Sequence, residues 1–351
     1  MNDNSMNAGE RAVRAGWLDA GFVLSPLGEG HIHETLLVTE DGGRRYVLQR
    51  INQAVFADPG RVMANMEREL AHFDALRADL TARLIPTRDG QAALVDGEGE
   101  WWRLWGYVED SRTLSRTSDP EVCTAAGEAF GRFQRLLASL PGPPPAPVIP
   151  GFLELDGYLQ ALDAVLHGRG DADAILKEAC GSARQFQEHR QLADSLPPRG
   201  DLIHGDCKLN NLLFATRSAR VLAVLDLDTV MAGHSAWDFG DLVRSVLMGS
   251  SGDGEMIRSF AALSEGFARG SGADPDPDAL LEAPAYVSFM LGVRFLADHL
   301  QGDRYFRVEK TGDNLYRARE QFELLSRLER RRDDFRRVLE TAVHRADEAQ
   351  R

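Results

Sequence analysis

The chain has 351 residues, of which 43% are hydrophobic and 27% charged, a composition typical of folded proteins that excludes an intrinsically disordered chain. Acidic residues outnumber basic ones 54 to 40, and the net charge of −14 disfavours nucleic acids and anionic membranes as partners. Three scattered cysteines and a polar start predict a reduced, cytoplasmic protein. The longest apolar run, residues 283–293, is too short to span a bilayer.

The length exceeds the size at which a single core usually stops growing, so two lobes are expected. In the first lobe, extended runs around residues 35–38 and 45–51 flank the sequence EDGG, which is a hairpin signal. Apolar residues at helical spacing predict a helix in residues 60–80. Two further strands are predicted within residues 92–110, so the order is β-β-α-β-β.

After residue 110 the pattern becomes mainly helical. A helix is predicted over residues 121–140, and the proline-rich stretch 141–151 predicts a surface connector. Further helices are expected to about residue 195 and again from residue 236 to the end. One pair of strands, residues 211–214 and 221–227, interrupts them.

The stretch LIHGDCKLNNLLF, residues 202–214, crowds polar side chains between two apolar runs. Asp206 lies in a predicted loop, and Asn211 follows five residues later. The predicted strand of residues 221–227 ends near Asp226 and Asp228, and the strand period of two would place both carboxylates on one face. We expect the hairpin to return Asp226 to the loop, where oxygen ligands of this kind suit Mg²⁺.

Phosphoryl transfer requires this combination of residues. An aspartate accepts or orients the hydroxyl proton, while an asparagine and a second aspartate hold magnesium against the nucleotide phosphates. The spacing from Asp206 to Asn211 matches the kinase pattern. Lys208 could neutralise charge that builds on the transferred group. Asp228 fits either a second metal contact or a loop-bracing acceptor, and His204 fits a buried structural role.

The pattern HGDxxxxN followed by an apolar strand and DxD resembles the aminoglycoside phosphotransferase and choline kinase-like superfamily over most of the chain. The resemblance implies an α+β, two-lobe protein-kinase-like fold, with a small β-rich N-terminal lobe and a larger, mostly helical C-terminal lobe. Residues 1–110 would bind the nucleotide, and residues 111–351 would carry catalysis and the acceptor. ATP and Mg²⁺ are the implied cofactors.

The resemblance also implies where the nucleotide is held. The strand YVLQRIN normally carries a lysine that grips the nucleotide, but here the position is Gln49. Either Arg50 supplies the cation through a bulge, or Gln49 contacts the phosphates neutrally, and the partner glutamate would be Glu67 or Glu69. The remaining expected nucleotide contacts lie in a glycine-rich loop and in an inter-lobe hinge: Gly28, Gly30, His31, Tyr107, Val108 and Glu109.

Four phrases, GEGHIHETLLV, YVLQRIN, VLDLDTVMAG and RFLADHLQGDRYF, resemble the N-acetylhexosamine 1-kinase branch. This implies a sugar kinase of carbohydrate metabolism that phosphorylates an anomeric hydroxyl. The implied acceptor contacts are Arg294, Asp298, Tyr305 and Arg307. Another small alcohol, such as an aminoglycoside, choline or homoserine, and a catalytically inactive nucleotide-binding regulator remain alternatives.

The motif WDFGD, residues 237–241, predicts the start of a helix. Asp238 is expected to cap its N-terminus. Asp241 resembles the family aspartate that braces the catalytic loop.

Overall fold

The structure, a computed structural model, describes residues 7–28, 32–272 and 276–350. The chain divides into two compact units, Met1–Ser111 and Arg112–Arg351. The first is built on an antiparallel sheet, and the second is mainly helical, which confirms the predicted fold class.

The first unit contains α1 (Ala8–Gly16), β1 (Phe22–Pro26), β2 (Glu34–Glu40), β3 (Arg45–Arg50), α2 (Pro59–Ala75), β4 (Leu84–Ile85), β5 (Leu94–Val95) and β6 (Trp101–Gly106). The strand order is β1-β2-β3-β6-β4, with β5 also paired to β6, and every pair is antiparallel. A short strand, β7 (Ser111–Arg112), lies where the first unit ends.

Local sequence explains most of this unit. The EDGG turn joins β2 to β3 with Gly43 at a φ of +84°, which favours glycine. Asp58 caps α2, whose first residue is Pro59. Helix α1 was not predicted, although Asn7 and Glu10 form a complete capping box at its start.

Within its described residues, the second unit contains helices, the four short strands β8 to β11 and three 3-10 turns. Before the strands come α3 (Pro120–Ala138), α4 (Leu155–Leu166), α5 (Ala172–Cys180), α6 (Ala183–His189) and a 3-10 turn over Arg190–Asp194. The strands are β8 (Asp201–Ile203), β9 (Leu212–Ala215), β10 (Val221–Val224) and β11 (Met231–Gly233). After them come α7 (Ala236–Leu247), α8 (Asp253–Ser271), α9 (Pro277–Leu300), α10 (Asp313–Arg330) and α11 (Arg332–Gln350).

Helices α3 and α8 approach each other closely along glycine positions. A Cβ atom added to Gly127 of α3 would lie 2.3 Å from the carbonyl oxygen of Leu263, and one added to Gly266 of α8 would lie 2.0 Å from that of Thr124. Any side chain at these positions would therefore force the two backbones apart. The close contact fixes α3, whose phenylalanines pack against the polar loop described below.

Helix α9 is long and apolar enough to cross a membrane by length and composition alone. However, 78% of its most apolar 18-residue window is buried inside the protein, and the helix packs against α4, α7 and α10. Such burial is typical of a core helix.

Candidate active site

The polar loop that follows β8 is held in place by its neighbouring strand. β8 pairs with β11, with Ile203 opposite Met231, so the loop after β8 lies beside the turn that precedes β11. The Thr229 hydroxyl donates a hydrogen bond of 2.9 Å to the His204 carbonyl oxygen. Gly205 has a φ of +82°, and a Cβ there would lie 2.7 Å from the Thr229 carbonyl oxygen, so the position requires glycine.

His204 organises the loop from beneath, as predicted. Its side chain is completely buried and makes edge-to-face contacts with the Phe130 and Phe133 rings. Nδ1 accepts the backbone N–H of Asp206 at 3.2 Å, so Nε2 carries the proton and donates to the Leu225 carbonyl oxygen at 2.9 Å. One ring therefore connects the loop to the end of β10.

Asp238 braces this loop from α7. Its carboxylate accepts the backbone N–H groups of His204 at 2.8 Å and Gly205 at 2.9 Å. The predicted role as a helix cap is wrong, because α7 begins without a side-chain cap. Burial raises the pKa of Asp238, and its hydrogen bonds work in the opposite direction.

The bracing role predicted for Asp241 is also wrong. Its Oδ1 accepts from Nε of Arg244, one turn later in α7, at 2.8 Å. The motif WDFGD therefore does contain the bracing aspartate, but three residues earlier than the resemblance implied.

Three predicted site residues meet at Asp206. Its side chain is 22% exposed, and Oδ2 accepts from Lys208 Nζ at 2.6 Å and from Asn211 Nδ2 at 3.0 Å. Asn211 Nδ2 also donates to the Asp206 carbonyl oxygen at 2.8 Å. Burial opposes the charge of the Asp206 carboxylate, but the charge of Lys208 and the hydrogen bonds from Lys208 and Asn211 together lower the pKa of Asp206 below its usual value.

Lys208 is held in its charged form by carboxylates. Burial alone would favour loss of its proton, but the negative charges of Asp206 and Asp226 raise its pKa above the ordinary value. A fixed cation therefore lies beside the Asp206 carboxylate at neutral pH.

The predicted strand of residues 221–227 is too long. β10 ends at Val224, Asp226 adopts the left-handed conformation with φ +63° and ψ +59°, and Leu227–Thr229 form a 3-10 turn. The Leu225 N–H still donates to the Asn211 carbonyl oxygen, at 2.8 Å, which continues the register of β9 and β10 by one residue. The Asn211 N–H, however, donates to the Lys208 carbonyl oxygen, at 2.9 Å, and the ladder ends there.

Asp226 and Asp228 therefore do not lie on one face of a strand, and that prediction is wrong. They are nevertheless close, because carboxylate oxygens of Asp226 and Asp228 lie within 4.8 Å of each other across the turn. The hairpin also returns this turn to the polar loop, as expected, through the bond between Leu225 and Asn211.

The donor set fits a hard divalent cation. The Nδ2 group of Asn211 donates to Asp206, so the amide oxygen Oδ1 is the atom of this side chain that could bind a cation. Together with the carboxylates of Asp226 and Asp228, this oxygen supplies the ligand chemistry that Mg²⁺ prefers. The left-handed backbone at Asp226 is a conformation that aspartate tolerates better than most residues and that is found often at functional sites.

In the first unit, β3 is regular throughout the described residues 45–50, with Gln49 opposite Arg103 and Arg50 opposite Trp102 on β6. The predicted alternative, in which a bulge turns Arg50 to the face of Gln49, is therefore wrong. Arg50 instead pairs with Glu34 at 2.8 Å on the opposite face. Gln49 Oε1 accepts from Arg103 Nε at 3.0 Å and from Trp105 Nε1 at 2.9 Å.

The other predicted nucleotide contacts of this unit are only partly described. Gly28 has a φ of +71°, consistent with a turn that needs glycine, whereas Gly30 and His31 lie outside the described residues. Arg45 pairs with Glu109, and its guanidinium lies 4.2 Å from the centre of the Tyr107 ring. The Val108 carbonyl oxygen accepts from the Ser111 hydroxyl at 2.6 Å.

The predicted acceptor segment begins in the last turns of α9 and continues into the loop after it, which Asp298 organises. Its carboxylate accepts the backbone N–H groups of Arg304, Tyr305 and Phe306 at 2.8 to 2.9 Å, and the Asn314 amide at 2.9 Å. These four donors assign Asp298 to the loop rather than to a sugar.

Arg294 lies in an aromatic cage. Its guanidinium carbon is 4.8 to 5.5 Å from the ring centres of Phe152, Tyr158, Tyr305 and Phe306. Tyr305 is half exposed, and Arg307 is exposed. Tyr305 and Arg307 therefore keep polar groups at the surface, whereas Arg294 is partly buried in the cage.

A family model described as "Phosphotransferase enzyme family" matches residues 23–281 of this chain. The chain belongs to the phosphotransferase enzyme family. The match includes the loop with Asp206, the turn with Asp226 and the bracing Asp238 of this phosphotransferase.

Solved structures agree with this family at the level of the fold. An aminoglycoside phosphotransferase from Alicyclobacillus acidocaldarius is 14% identical with a TM-score of 0.59, and 98% of each chain is covered. A microcompartment-associated aminopropanol kinase is 19% identical with a TM-score of 0.58, covering 94% of this chain and 98% of the kinase. An amicoumacin kinase in complex with AMP-PNP, Ca²⁺ and its antibiotic is 12% identical with a TM-score of 0.57, covering 92% and 91%.

A curated protein also matches this phosphotransferase over a short stretch. Acyl-CoA dehydrogenase family member 11 of Gallus gallus is 48% identical over 50 residues, which are 13% of this chain and 6% of that protein. The chain thus spans only a small part of the length of this relative.

Two site features of the phosphotransferase were not found from its sequence. The strands β8 and β11, which frame the polar loop, have only three residues each, too few to show a period. Arg103 lies in the sequence WWRLW, where a basic residue on a strand is normally exposed, yet its side chain is 1% exposed.

Proposed function

We propose that this phosphotransferase moves the γ-phosphoryl group of ATP to a hydroxyl group of a small molecule. The observation that carries the proposal is the cluster at Asp206, where a charged lysine and an asparagine fix one carboxylate oxygen beside the turn with Asp226 and Asp228. This is the set of groups that phosphoryl transfer uses.

Asp206 is the proposed base. Its lowered pKa keeps it ionised at neutral pH. Lys208 and Asn211 both donate to Oδ2, so Oδ1 is the oxygen proposed to accept the proton of an attacking hydroxyl group. His204 and Asp238 would act as positioning residues, because they fix the backbone on either side of Asp206 without contacting the substrate.

Lys208 is the proposed fixed countercharge. Its ammonium group stays charged beside Asp206, where it can offset negative charge that develops on the transferred group. Asn211, Asp226 and Asp228 would hold Mg²⁺, which supplies electrostatic stabilisation of the phosphate oxygens when it is bound. The amicoumacin kinase complex, with a nucleotide analogue and a divalent cation, supports this type of cofactor pair.

We propose the first unit as the nucleotide-binding unit. Gln49, the backbone at Gly28 and the segment from Tyr107 to Glu109 are its proposed contacts. The glycine conformation at residue 28 allows a close backbone approach to phosphate oxygens.

The proposed acceptor is the anomeric hydroxyl of an N-acetylhexosamine. Support comes from the phrases that resemble the N-acetylhexosamine 1-kinase branch and from Arg294, whose guanidinium donors are oriented by four aromatic rings. A preorganised arginine and the half-exposed Tyr305 can hydrogen-bond the oxygens of a neutral sugar.

The test is turnover of ATP and Mg²⁺ with a panel of acceptors. N-acetylglucosamine or N-acetylgalactosamine should yield the sugar 1-phosphate, identified by NMR. Methylation of the anomeric hydroxyl should abolish the reaction, whereas blocking the 6-hydroxyl should leave a substrate. Phosphate on the 6-hydroxyl, or turnover of other alcohols without any hexosamine, would overturn the acceptor assignment alone.

Arg294→Ala should raise the KM of the sugar without an equal rise in the KM of ATP, because the cage lies in the segment proposed for the acceptor. Arg184→Ala, which removes an exposed ion pair with Glu188, is the matched control. Equal changes in both KM values would argue against a sugar contact.

A second candidate is a kinase of another small alcohol, which the aminopropanol kinase and the aminoglycoside phosphotransferase favour as neighbours in fold. The same panel, extended to choline, homoserine, aminopropanol and kanamycin, separates it from the sugar kinase. A chain that binds ATP and turns over no acceptor would support the third reading, an inactive nucleotide-binding regulator.

A further inference from the structure

Two oppositely charged side chains are buried in the first unit. Among its described residues, Glu69 of α2 is 0% exposed and Arg103 of β6 is 1% exposed. Arg103 Nη1 lies 3.7 Å from the sulfur of Met66, which is one turn before Glu69 on the same buried face of α2. The guanidinium thus reaches the helix face that carries Glu69, where the two charges can offset each other.

The same arginine determines which way the Gln49 amide points. Arg103 Nε and Trp105 Nε1 are groups that can only donate, and both contact one atom of the Gln49 side chain, at 3.0 and 2.9 Å. That atom must be the carbonyl oxygen, so the orientation of the amide is fixed by its partners and not by convention.

The amide nitrogen of Gln49 is consequently directed away from Arg103. Its one contact in the described residues is a long one, 3.4 Å to the Thr35 hydroxyl on β2. Thr35 lies near the start of β2, the strand that comes after Gly28 in the chain. Gln49 is partly exposed, so this nitrogen is a donor that a ligand on that side can reach.

We propose that Arg103 is a positioning residue for the nucleotide phosphates, acting through Gln49. The buried guanidinium binds the amide oxygen, which turns the NH₂ group towards the phosphates and polarises it as a donor. A neutral side chain with a buried cation behind it thereby replaces the strand lysine that the resemblance implies. The inference rests on the proposed function, because it assumes that the first unit binds ATP.

The two residues have different roles because they differ in exposure and in charge. Arg103 itself is too buried to contact a phosphate directly, whereas Gln49 is partly exposed but carries no charge. A charge-assisted hydrogen bond is about twice as strong as a neutral one, and successive hydrogen bonds strengthen each other in a low-dielectric interior. The pair can therefore do together what neither residue can do alone.

The experiment compares the affinity for MgATP with that for adenosine by calorimetry, using the full chain. Gln49→Met and Arg103→Met should each weaken MgATP about tenfold, the equivalent of one charge-assisted hydrogen bond, and leave adenosine unchanged because it has no phosphates. The double variant should be no weaker than either single one, because both remove the same interaction. Arg11→Met, which removes an exposed ion pair with Glu98, is the control.

Several outcomes would overturn the inference. Equal weakening of MgATP and adenosine would show a merely structural role, and unchanged affinity in a folded Gln49→Met variant would remove Gln49 from the site. If Arg103→Met does not fold, Arg103→Lys keeps the charge but loses the fixed Nε donor, and it should weaken MgATP selectively. Wild-type protein that binds no MgATP would instead overturn the proposed function.

Discussion

Two loops of the second unit are organised by the same device. Asp238 accepts two successive backbone N–H groups before Asp206, and Asp298 accepts three successive N–H groups before Arg307. In both cases a buried carboxylate on a helix fixes a loop that would otherwise leave its donors unpaired.

The loops differ in what they present. The loop held by Asp238 presents a carboxylate already in contact with an ammonium and an amide. The loop held by Asp298 presents Tyr305, which forms one wall of the cage around Arg294. The comparison teaches that a buried aspartate marks a fixed loop, and that chemistry must be inferred from the side chains that the loop exposes.

The largest effect is expected at the turn beside the first loop. Asp226→Ala should abolish measurable turnover, as should EDTA in the wild type, because the proposed cation would lose a ligand. Activity should return on adding excess Mg²⁺ to chelated wild type but not to the variant. Normal turnover of Asp226→Ala at low Mg²⁺ would show that this turn does not hold the metal.

Asp206→Asn is expected to lower kcat by roughly 10² to 10⁴ while MgATP still binds, because a positioned base contributes about this much. Stopped assays give the rate, and calorimetry gives the affinity. Asp163→Asn, which changes an exposed aspartate paired with Arg190, should leave both unchanged. Near-wild-type turnover of the Asp206 variant would exclude it as the base.

Substitution of the two loop-bracing aspartates, Asp238 and Asp298, should change different kinetic constants. Asp238→Asn and Asp298→Asn should each lower the free energy of unfolding by about 1 to 3 kcal/mol, because an amide cannot satisfy all the N–H donors. Asp238→Asn should mainly reduce kcat, whereas Asp298→Asn should mainly raise the acceptor KM. The same kinetic change in both variants would contradict the functional difference between the loops.

The smallest effect concerns pH. The pKa of Asp206 is lowered from 3.8 by folding, so the native state binds fewer protons than the unfolded state in that range. Its stabilising contribution is therefore present above pH 3.8 and is lost as the pH falls through the folded pKa. The difference in unfolding free energy between wild type and Asp206→Asn should stay constant from pH 8 to 5 and change below 3.8 to the disadvantage of wild type.

Much of the fold could be predicted because long periodic segments dominate it. The helices α2 and α3 and the hairpin of β2 and β3 follow from residue spacing and turn chemistry alone. The turn at Asp226 could not be predicted, because the apolar run before it continues the strand pattern. The ladder ends only because the Asn211 N–H bonds to the Lys208 carbonyl oxygen instead of to β10.

The sequence predicted which residues form the candidate site better than it predicted which other residues they contact. Asp206, Lys208 and Asn211 are close in the sequence, and local geometry brings them together. The choice between Asp238 and Asp241 depends on how α7 lies against a loop more than thirty residues earlier in the chain. Arg103 is recognisable only once β3 and β6 are known to pair with Gln49 opposite it.

The close contact of α3 and α8 along their glycines limits how this protein can be redesigned. Gly131 and Gly270 repeat the contact of Gly127 and Gly266, with hypothetical Cβ atoms 2.5 and 2.2 Å from carbonyl oxygens of the facing helix. In a mutational library aimed at new acceptors, these positions should tolerate almost nothing, while exposed positions of the loop after α9 remain open to diversification. Changes aimed at the proposed acceptor can therefore be made in that loop without disturbing the helix pair that packs behind the loop with Asp206.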